Sequence, residues 1–387
     1  MTQTTFHTPS TLLFGAGCRG QLAGELRRMR ARRVLLVTDP YLLQSGVIDN
    51  LLPQLESDDI RATVFSNVQP DPTVQNVLDG VRSLREAGAE AIVAVGGGSA
   101  IDAAKVISAA HRHSGPLRDL QGYHRVPAGG PPVVAVPTTA GTGSEATKVA
   151  VITDSERRVK MMMLDPKLMP AAAIIDYELT VTMPAALTAY VGVDTLTHGI
   201  EAYVSTRANG MSDPLALSCV QLTARHLVNA WREPRNTAAR AGMSLAACQG
   251  GMAFTNSSVC LVHGMSRPLG ALFHLPHGLS NAVLLPAVSR FSLRGAPQRY
   301  AQIARLMGVA GENQDDDSAW LALVGGLEQL NRQLEVPRLR DCVEAGKGAF
   351  EAALEKMAED ALASGSPQNN PVVPTAVEIA ELYRESW

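Results

Sequence analysis

The sequence predicts an α/β domain followed by an all-helical domain, and three observations lead there. Short β-rich runs alternate with helical patterns through the first half, the sequence form of a parallel sheet covered by helices. One of those runs ends in Gly96-Gly97-Gly98 where a helix opens. After Asp176 the short runs give way to long patterns with apolar residues at three- and four-residue spacing.

Taken in order, strands are expected at Arg33 to Thr38, Arg61 to Phe65, Ala91 to Val95, Pro132 to Val136 and Ala172 to Ile175. The intervening helices are expected at Val47 to Leu52, Val74 to Ala87 and Ala100 to His111, whose apolar spacing suits packing on a sheet. Leu179 to Pro184 reads as a crossing segment. Beyond it, Ala185 to Val204, Pro214 to Trp231, Thr237 to Met252 and Ser318 to Leu334 carry helical patterns. The expected division is therefore residues 1–183, α/β, and 184–387, helical. Ser364 to Pro374 reads as a polar loop before a final short helix and acquires no function from its composition.

Charge narrows the function. The net charge of -3 comes from 34 basic and 37 acidic residues spread along the chain, so no basic run points to nucleic acid or to an anionic membrane. No run approaches the roughly 18 uninterrupted apolar residues of a membrane span, and the first residues lack a secretory leader. The cysteines Cys18, Cys219, Cys248, Cys260 and Cys342 are odd in number and never form a Cys-x-x-Cys pair. That pattern argues for a reducing compartment, the cytoplasm, and against a thiolate zinc site.

Two loops carry the first chemical signal. Gly96, Gly97, Gly98 and Ser99 join a strand to the helix opened by Ala100, Ile101 and Asp102, so free backbone N–H groups and the positive helix end can receive a pyrophosphate. The spacing is not G-x-G-x-x-G, and a tight structural turn would use the same residues. Pro137-Thr138-Thr139-Ala140-Gly141-Thr142-Gly143-Ser144-Glu145 follows another strand and concentrates hydroxyls where open α/β sheets bind ligands; a helix-capping connector is the alternative. Asp39, just past Arg33 to Thr38, can accept hydrogen bonds from an adenosine ribose and would repel a 2′-phosphate, which favours NAD over NADP; it would also serve as a turn residue before Pro40.

A second signal lies in the helical half. Asp194 and His198 are one helical turn apart and project from one face. His263 and His277 lie farther on, each followed by glycine. Singly, each histidine fits a hydrogen-bonded core or surface group; together, three imidazoles and a carboxylate suit Fe2+ or Zn2+.

With these residues in view the chain resembles the iron-containing, or group III, alcohol dehydrogenase family along nearly its whole length. The resemblance is carried by Gly96 to Ser99 with Asp102 and Lys105, Pro137 to Glu145, Asp194 through His198 with Glu201-Ala202, and His263-Gly264-Met265 through Pro276-His277-Gly278. It implies a Rossmann-like dinucleotide domain, a helical domain of dehydroquinate synthase-like architecture, and a cleft between them. It also implies Asp194, His198, His263 and His277 as ligands of one divalent metal, iron before zinc. For the cofactor it implies Asp39, Gly96, Gly97, Gly98, Ser99, Asp102, Thr138, Thr139, Thr142, Thr147 and Lys160, and for assembly a homodimer or larger homo-oligomer. Several family members carry histidine where this chain has Arg267. The proton relay is thereby left to His274, or Arg267 binds an anionic group on the substrate.

The chemistry that follows is hydride transfer between nicotinamide and a small alcohol, diol, hydroxy acid or aldehyde, with the metal polarising the substrate oxygen. The rival enzyme is a dehydroquinate synthase or glycerol-phosphate dehydrogenase type, whose phosphate-bearing substrates require a basic cluster. Arg267 and Lys160 are the evident candidates for one. A non-catalytic NAD-binding protein is the third reading.

Overall fold

A computed structural model describes residues 3–127, 129–157 and 159–387. His7–Val181 form one compact unit and Thr182–Trp387 the body of the other.

Among its described residues the first unit holds nine strands: β1 (Thr11–Phe14), β2 (Arg33–Val37), β3 (Arg61–Phe65), β4 (Ala91–Gly96), β5 (Gly122–Tyr123), β6 (Val133–Pro137), β7 (Val149–Asp154), β8 (Val159–Leu164) and β9 (Ala172–Ile175). Six make one sheet in the order β1-β9-β6-β4-β2-β3, every pair parallel. The remaining three form a small sheet, β5-β8-β7, in which β7 and β8 run antiparallel. Its helices are α1 (Leu22–Arg28), α2 (Pro40–Gln44), α3 (Leu52–Ser57), α4 (Val74–Glu86) and α5 (Gly98–Ala110). Val93 and Val95 face one apolar cluster with Leu26, Leu36 and Ile174, while Ile92 and Ala94 face another with Val77, Ile101 and Ile107. Burial on both faces explains why the central strands read as continuous apolar runs.

Strand order fixes where a ligand belongs. After β2 the chain adds β3 on one side and then β4 on the other, so the carboxyl ends of β2 and β4 flank a topological switch point. Asp39 follows β2, the glycine turn follows β4, and the threonine loop follows β6, the next strand along.

The second unit is helical: α6 (Ala185–Val204), α7 (Asp213–Arg232), α8 (Thr237–Asn256), α9 (Leu261–Phe273), α10 (His277–Ser292), α11 (Pro297–Leu306), α12 (Asp316–Gln333), α13 (Leu339–Cys342), α14 (Gly346–Ala363) and α15 (Ala376–Ser386). Two helices run through prolines, α9 through Pro268 and α10 through Pro286. Pro286 has no N–H for the carbonyl of Ala282, and Asn331 on α12 supplies the donor at 2.7 Å.

The helix expected at Val47 to Leu52 is a correction: residues up to 51 form turns, and helix begins at Leu52. Pro53 is the reason, since proline is pre-organised for a first helical turn and blocks an interior one. Ile48 and Leu51 are buried all the same, so the apolar spacing reflected burial without helix. Leu179 to Pro184 is entered through a short 3-10 turn, Tyr177–Thr180.

Candidate metal centre and cofactor turn

Four predicted ligands meet in the helical unit. Asp194 and His198 come from the middle of α6, His263 from the first turn of α9, and His277 opens α10. The Nε2 atoms of His198, His263 and His277 stand 3.7, 3.6 and 3.8 Å from the same oxygen, Asp194 Oδ1. Ligand atoms about 2.1 Å from one tetrahedral ion would lie about 3.4 Å apart, close to this spacing. The ligand atoms of Asp194, His263 and His277 all lie within 4.8 Å of one another, and the His198 ring stacks on His263 with centroids 4.8 Å apart.

Each histidine is followed by a glycine that the packing needs. A Cβ on Gly278 would stand 2.6 Å from the Tyr190 carbonyl oxygen of α6, and one on Gly264 would stand 2.8 Å from Pro367. Without side chains at these positions, α10 closes on α6 and α9 on the Ser364 to Pro374 segment. That segment is a packed strap: Ser366, Asn369 and Asn370 are buried, Asn369 Nδ2 donates to Ser258 Oγ, and Asn370 Nδ2 donates to Ser292 Oγ.

Glu201, which entered the sequence reading only as part of a motif, supports the site. One turn beyond His198 and buried, it accepts from the backbone N–H groups of Cys260 (2.8 Å) and Val262 (2.6 Å), the start of α9. Its Oε2 also accepts from His263 Nδ1 at 2.6 Å, which leaves the Nε2 lone pair for the site. The signal was present in the sequence, because residues 194, 198 and 201 share a helix face. Asn281 was missed altogether; its Nδ2 donates to Asp194 Oδ1 at 2.6 Å and stands 3.2 and 3.3 Å from Nε2 of His263 and His277.

The electrostatics ask for a cation. Burial opposes the charge on Asp194, yet His198, His277 and His263 hold its carboxyl far below the usual carboxylate range. Burial would lower His263, but Glu201 and Asp194 raise it to about 9. Asn281 Oδ1 is buried and has no hydrogen-bond partner. The donor set of a carboxylate and three imidazoles fits one divalent first-row ion. The His277 side chain is 36% exposed against 2% for Asp194, so the cluster opens on the His277 side. Phe254 stacks on His198, with centroids 4.5 Å apart, and closes another side.

The remaining predicted residues sort into open and closed sets. Gly97, Gly98, Ser99, Thr139 and Thr142 are partly accessible and adjoin one another, since a Cβ on Gly97 would touch Thr139 and one on Gly98 would touch Thr142. Thr138 is buried beneath them, its N–H on the Gly96 carbonyl. Asp39 uses one oxygen to cap α2 through Leu42 N–H. Asp102 and Thr147 instead point into an internal network: Asp102 accepts from Ser144 Oγ and Val151 N–H, and Thr147 Oγ1 accepts from Lys105. Lys160 is paired with Asp71 at 2.7 Å, and Arg267 donates to Ser366 Oγ at 3.0 Å. His274 is exposed and ends α9 in a left-handed conformation (φ 56°). Burial pushes the Cys219 thiol up to about 12 and raises Cys260, which disfavours a thiolate nucleophile in either.

Comparison with known proteins decides the family. Residues 9–177 match the iron-containing alcohol dehydrogenase model, and residues 188–387 match the C-terminal model of the same family. The chain belongs to the iron-containing alcohol dehydrogenase family. It is 38% identical to a 1,3-propanediol dehydrogenase of Citrobacter freundii, over 98% of this chain and 97% of that one. It is 35% identical to an NAD-dependent methanol dehydrogenase of Bacillus methanolicus, over 99% of this chain and all of that one. A crystal structure of a 1,3-propanediol oxidoreductase superposes with a TM-score of 0.96 at 36% identity, covering both chains fully. Like these relatives, this family member is an oxidoreductase acting on CH–OH donors, interconverting alcohol and aldehyde. Among the described residues no helix is long and apolar enough to cross a membrane.

Proposed function

We propose that the chain is an NAD-dependent alcohol dehydrogenase whose Asp194, His198, His263 and His277 hold one divalent iron. The observation that carries this reading is the convergence of three imidazole nitrogens on one buried carboxylate oxygen, with an opening beside His277. Held there, the ion would supply Lewis acidity toward a substrate oxygen, and a bound nicotinamide would supply or accept the hydride. Glu201 keeps the His263 proton on Nδ1, Asn281 steadies Asp194, and Phe254 excludes water beside His198. No protein nucleophile takes part.

Residues 1–183 hold the cofactor and residues 184–387 the metal. Gly97, Gly98 and Ser99, at the start of α5, receive the pyrophosphate, with Thr139 and Thr142 alongside. The second oxygen of Asp39 is left for an adenosine ribose, which favours NAD over NADP. Zinc would be held by the same donors. Substrates are small alcohols, diols or hydroxy acids and their aldehydes, a range supported by the methanol and 1,3-propanediol named for the relatives. The absence of disulfides among the five cysteines supports a cytoplasmic setting; the homodimer rests on family resemblance. Arg267 is held by Ser366 and His274 is exposed, so a part for either in proton transfer or substrate binding requires a bound substrate to draw it in.

The test is His263→Ala assayed for metal content and for alcohol-dependent NADH formation. Metal occupancy and kcat fall together, kcat by about 10² or more. Undiminished kcat with the metal lost would remove the basis of the assignment.

A further inference from the structure

The glycine turn and the threonine loop touch, so the width of the proposed phosphate cradle depends on where the loop is held. Within the loop, Gly143 adopts a left-handed conformation (φ 61°) and Thr142 Oγ1 accepts from Ser144 N–H, local features that shape it without tying it to α5. The tie is made one and two turns into α5. Lys105, only 1% exposed, spends all three ammonium donors on the end of the loop and the segment after it: Ser144 Oγ at 2.8 Å, Thr147 Oγ1 at 3.0 Å and the Val149 carbonyl at 2.9 Å. Asp102 spends both oxygens there too, accepting from Ser144 Oγ at 2.5 Å and Val151 N–H at 2.9 Å.

We propose that Asp102 and Lys105 are positioning residues, an internal strut that sets the threonine loop against the glycine turn so that the cradle is preformed for a dinucleotide. The inference rests on the reading of that cradle as the cofactor site. Ser144 is the joint of the strut, since its hydroxyl accepts from the ammonium and donates to the carboxylate. The Asp102 and Lys105 charges lie 3.9 Å apart, and Glu145 of the loop acts on the Lys105 ammonium as well. A buried ammonium is costly: burial lowers Lys105 to about 8 although Asp102 and Glu145 oppose the shift. Well-packed apolar side chains would hold α5 on β7 without that cost, but they could not fix hydroxyl and carbonyl positions to a few tenths of an ångström. Because the strut shares its helix with the glycine turn, the helix end that meets the phosphates and the loop beside it keep one spacing.

The experiment is NADH titration, by fluorescence, of metal-loaded wild type, Lys105→Met, Asp102→Asn and Ser144→Ala, with steady-state kinetics and metal content on the same samples. The strut predicts a rise in NADH Kd and in KM for NAD of about tenfold in the first two variants and about threefold in Ser144→Ala. It also predicts kcat at saturating NAD within about threefold of wild type and unchanged metal content. Should Lys105→Met not fold, the comparison stands on Ser144→Ala, which retains both charges. Folded variants whose Kd and KM stay within about twofold of wild type would overturn the strut. So would a parallel loss of kcat, metal and cofactor affinity, the mark of general destabilisation. Wild-type protein that binds no NADH would overturn instead the cofactor reading beneath it.

Discussion

Replacing Gly278 with alanine isolates the helix approach that assembles the metal centre. The new Cβ would stand 2.6 Å from the Tyr190 carbonyl oxygen and 3.2 Å from the Val191 amide nitrogen, both backbone atoms of α6 that cannot swing aside. Ordinary contact begins near 3.4 Å, so the start of α10 must retreat by about 0.8 Å. His277 is the adjacent residue, and metal–ligand distances tolerate only about 0.2 Å. The expected result is a fall in metal affinity of about 10- to 100-fold, equivalent to about 1.4–2.7 kcal/mol. Helix propensity alone predicts the opposite sign, since alanine in place of an ordinary helical glycine stabilises by about 0.5–1 kcal/mol. Chelator competition on the folded variant reads the affinity, and thermal unfolding with and without metal reads the propensity term. Wild-type metal affinity in Gly278→Ala would refute the packing argument.

Glu201→Gln leaves one acceptor oxygen where two received three N–H donors, so metal affinity is expected to fall about 10- to 100-fold and the protein to lose about 1–3 kcal/mol, read by chelator competition and denaturant unfolding. Asp39→Asn keeps an oxygen for the α2 cap while removing the charge. Its kcat/KM ratio for NADP over NAD should rise about tenfold or more with little change in Tm, and an unchanged ratio would return Asp39 to the part of a helix cap alone.

What the residues disclosed followed from how locally each feature is encoded. The parallel strands were legible because both sheet faces are buried, which forces unbroken apolar runs such as Ala91–Gly96. Thr11–Phe14 was not, being an edge strand only four residues long and bonded on one side to β9. The β7–β8 hairpin was obscured by its methionines, since Met161, Met162 and Met163 lack the branched side chains that mark strands. Helices α9 and α10 were hidden by Pro268 and Pro286, whose local signal is to stop a helix that tertiary packing sustains. Asp194 and His198 could be paired from helical spacing, whereas His263 and His277 joined the set by residue type alone, and the resemblance then supported them, because nothing local says that α9 and α10 turn toward α6. Asn281 carried no signal beyond its place one turn after His277. Asp102 and Thr147 were placed on the ligand because their motif was visible, while the burial of Lys105 and its bond to Thr147 were not.

The most direct test of a metal held by Asp194, His198, His263 and His277 is to strip the wild-type protein with a chelator and titrate Fe2+ back anaerobically, following bound metal and alcohol-dependent NADH formation together. Activity should vanish on stripping and return linearly, saturating at about one ion per chain. Full turnover in the stripped protein, or saturation that requires no bound ion, would contradict the assignment.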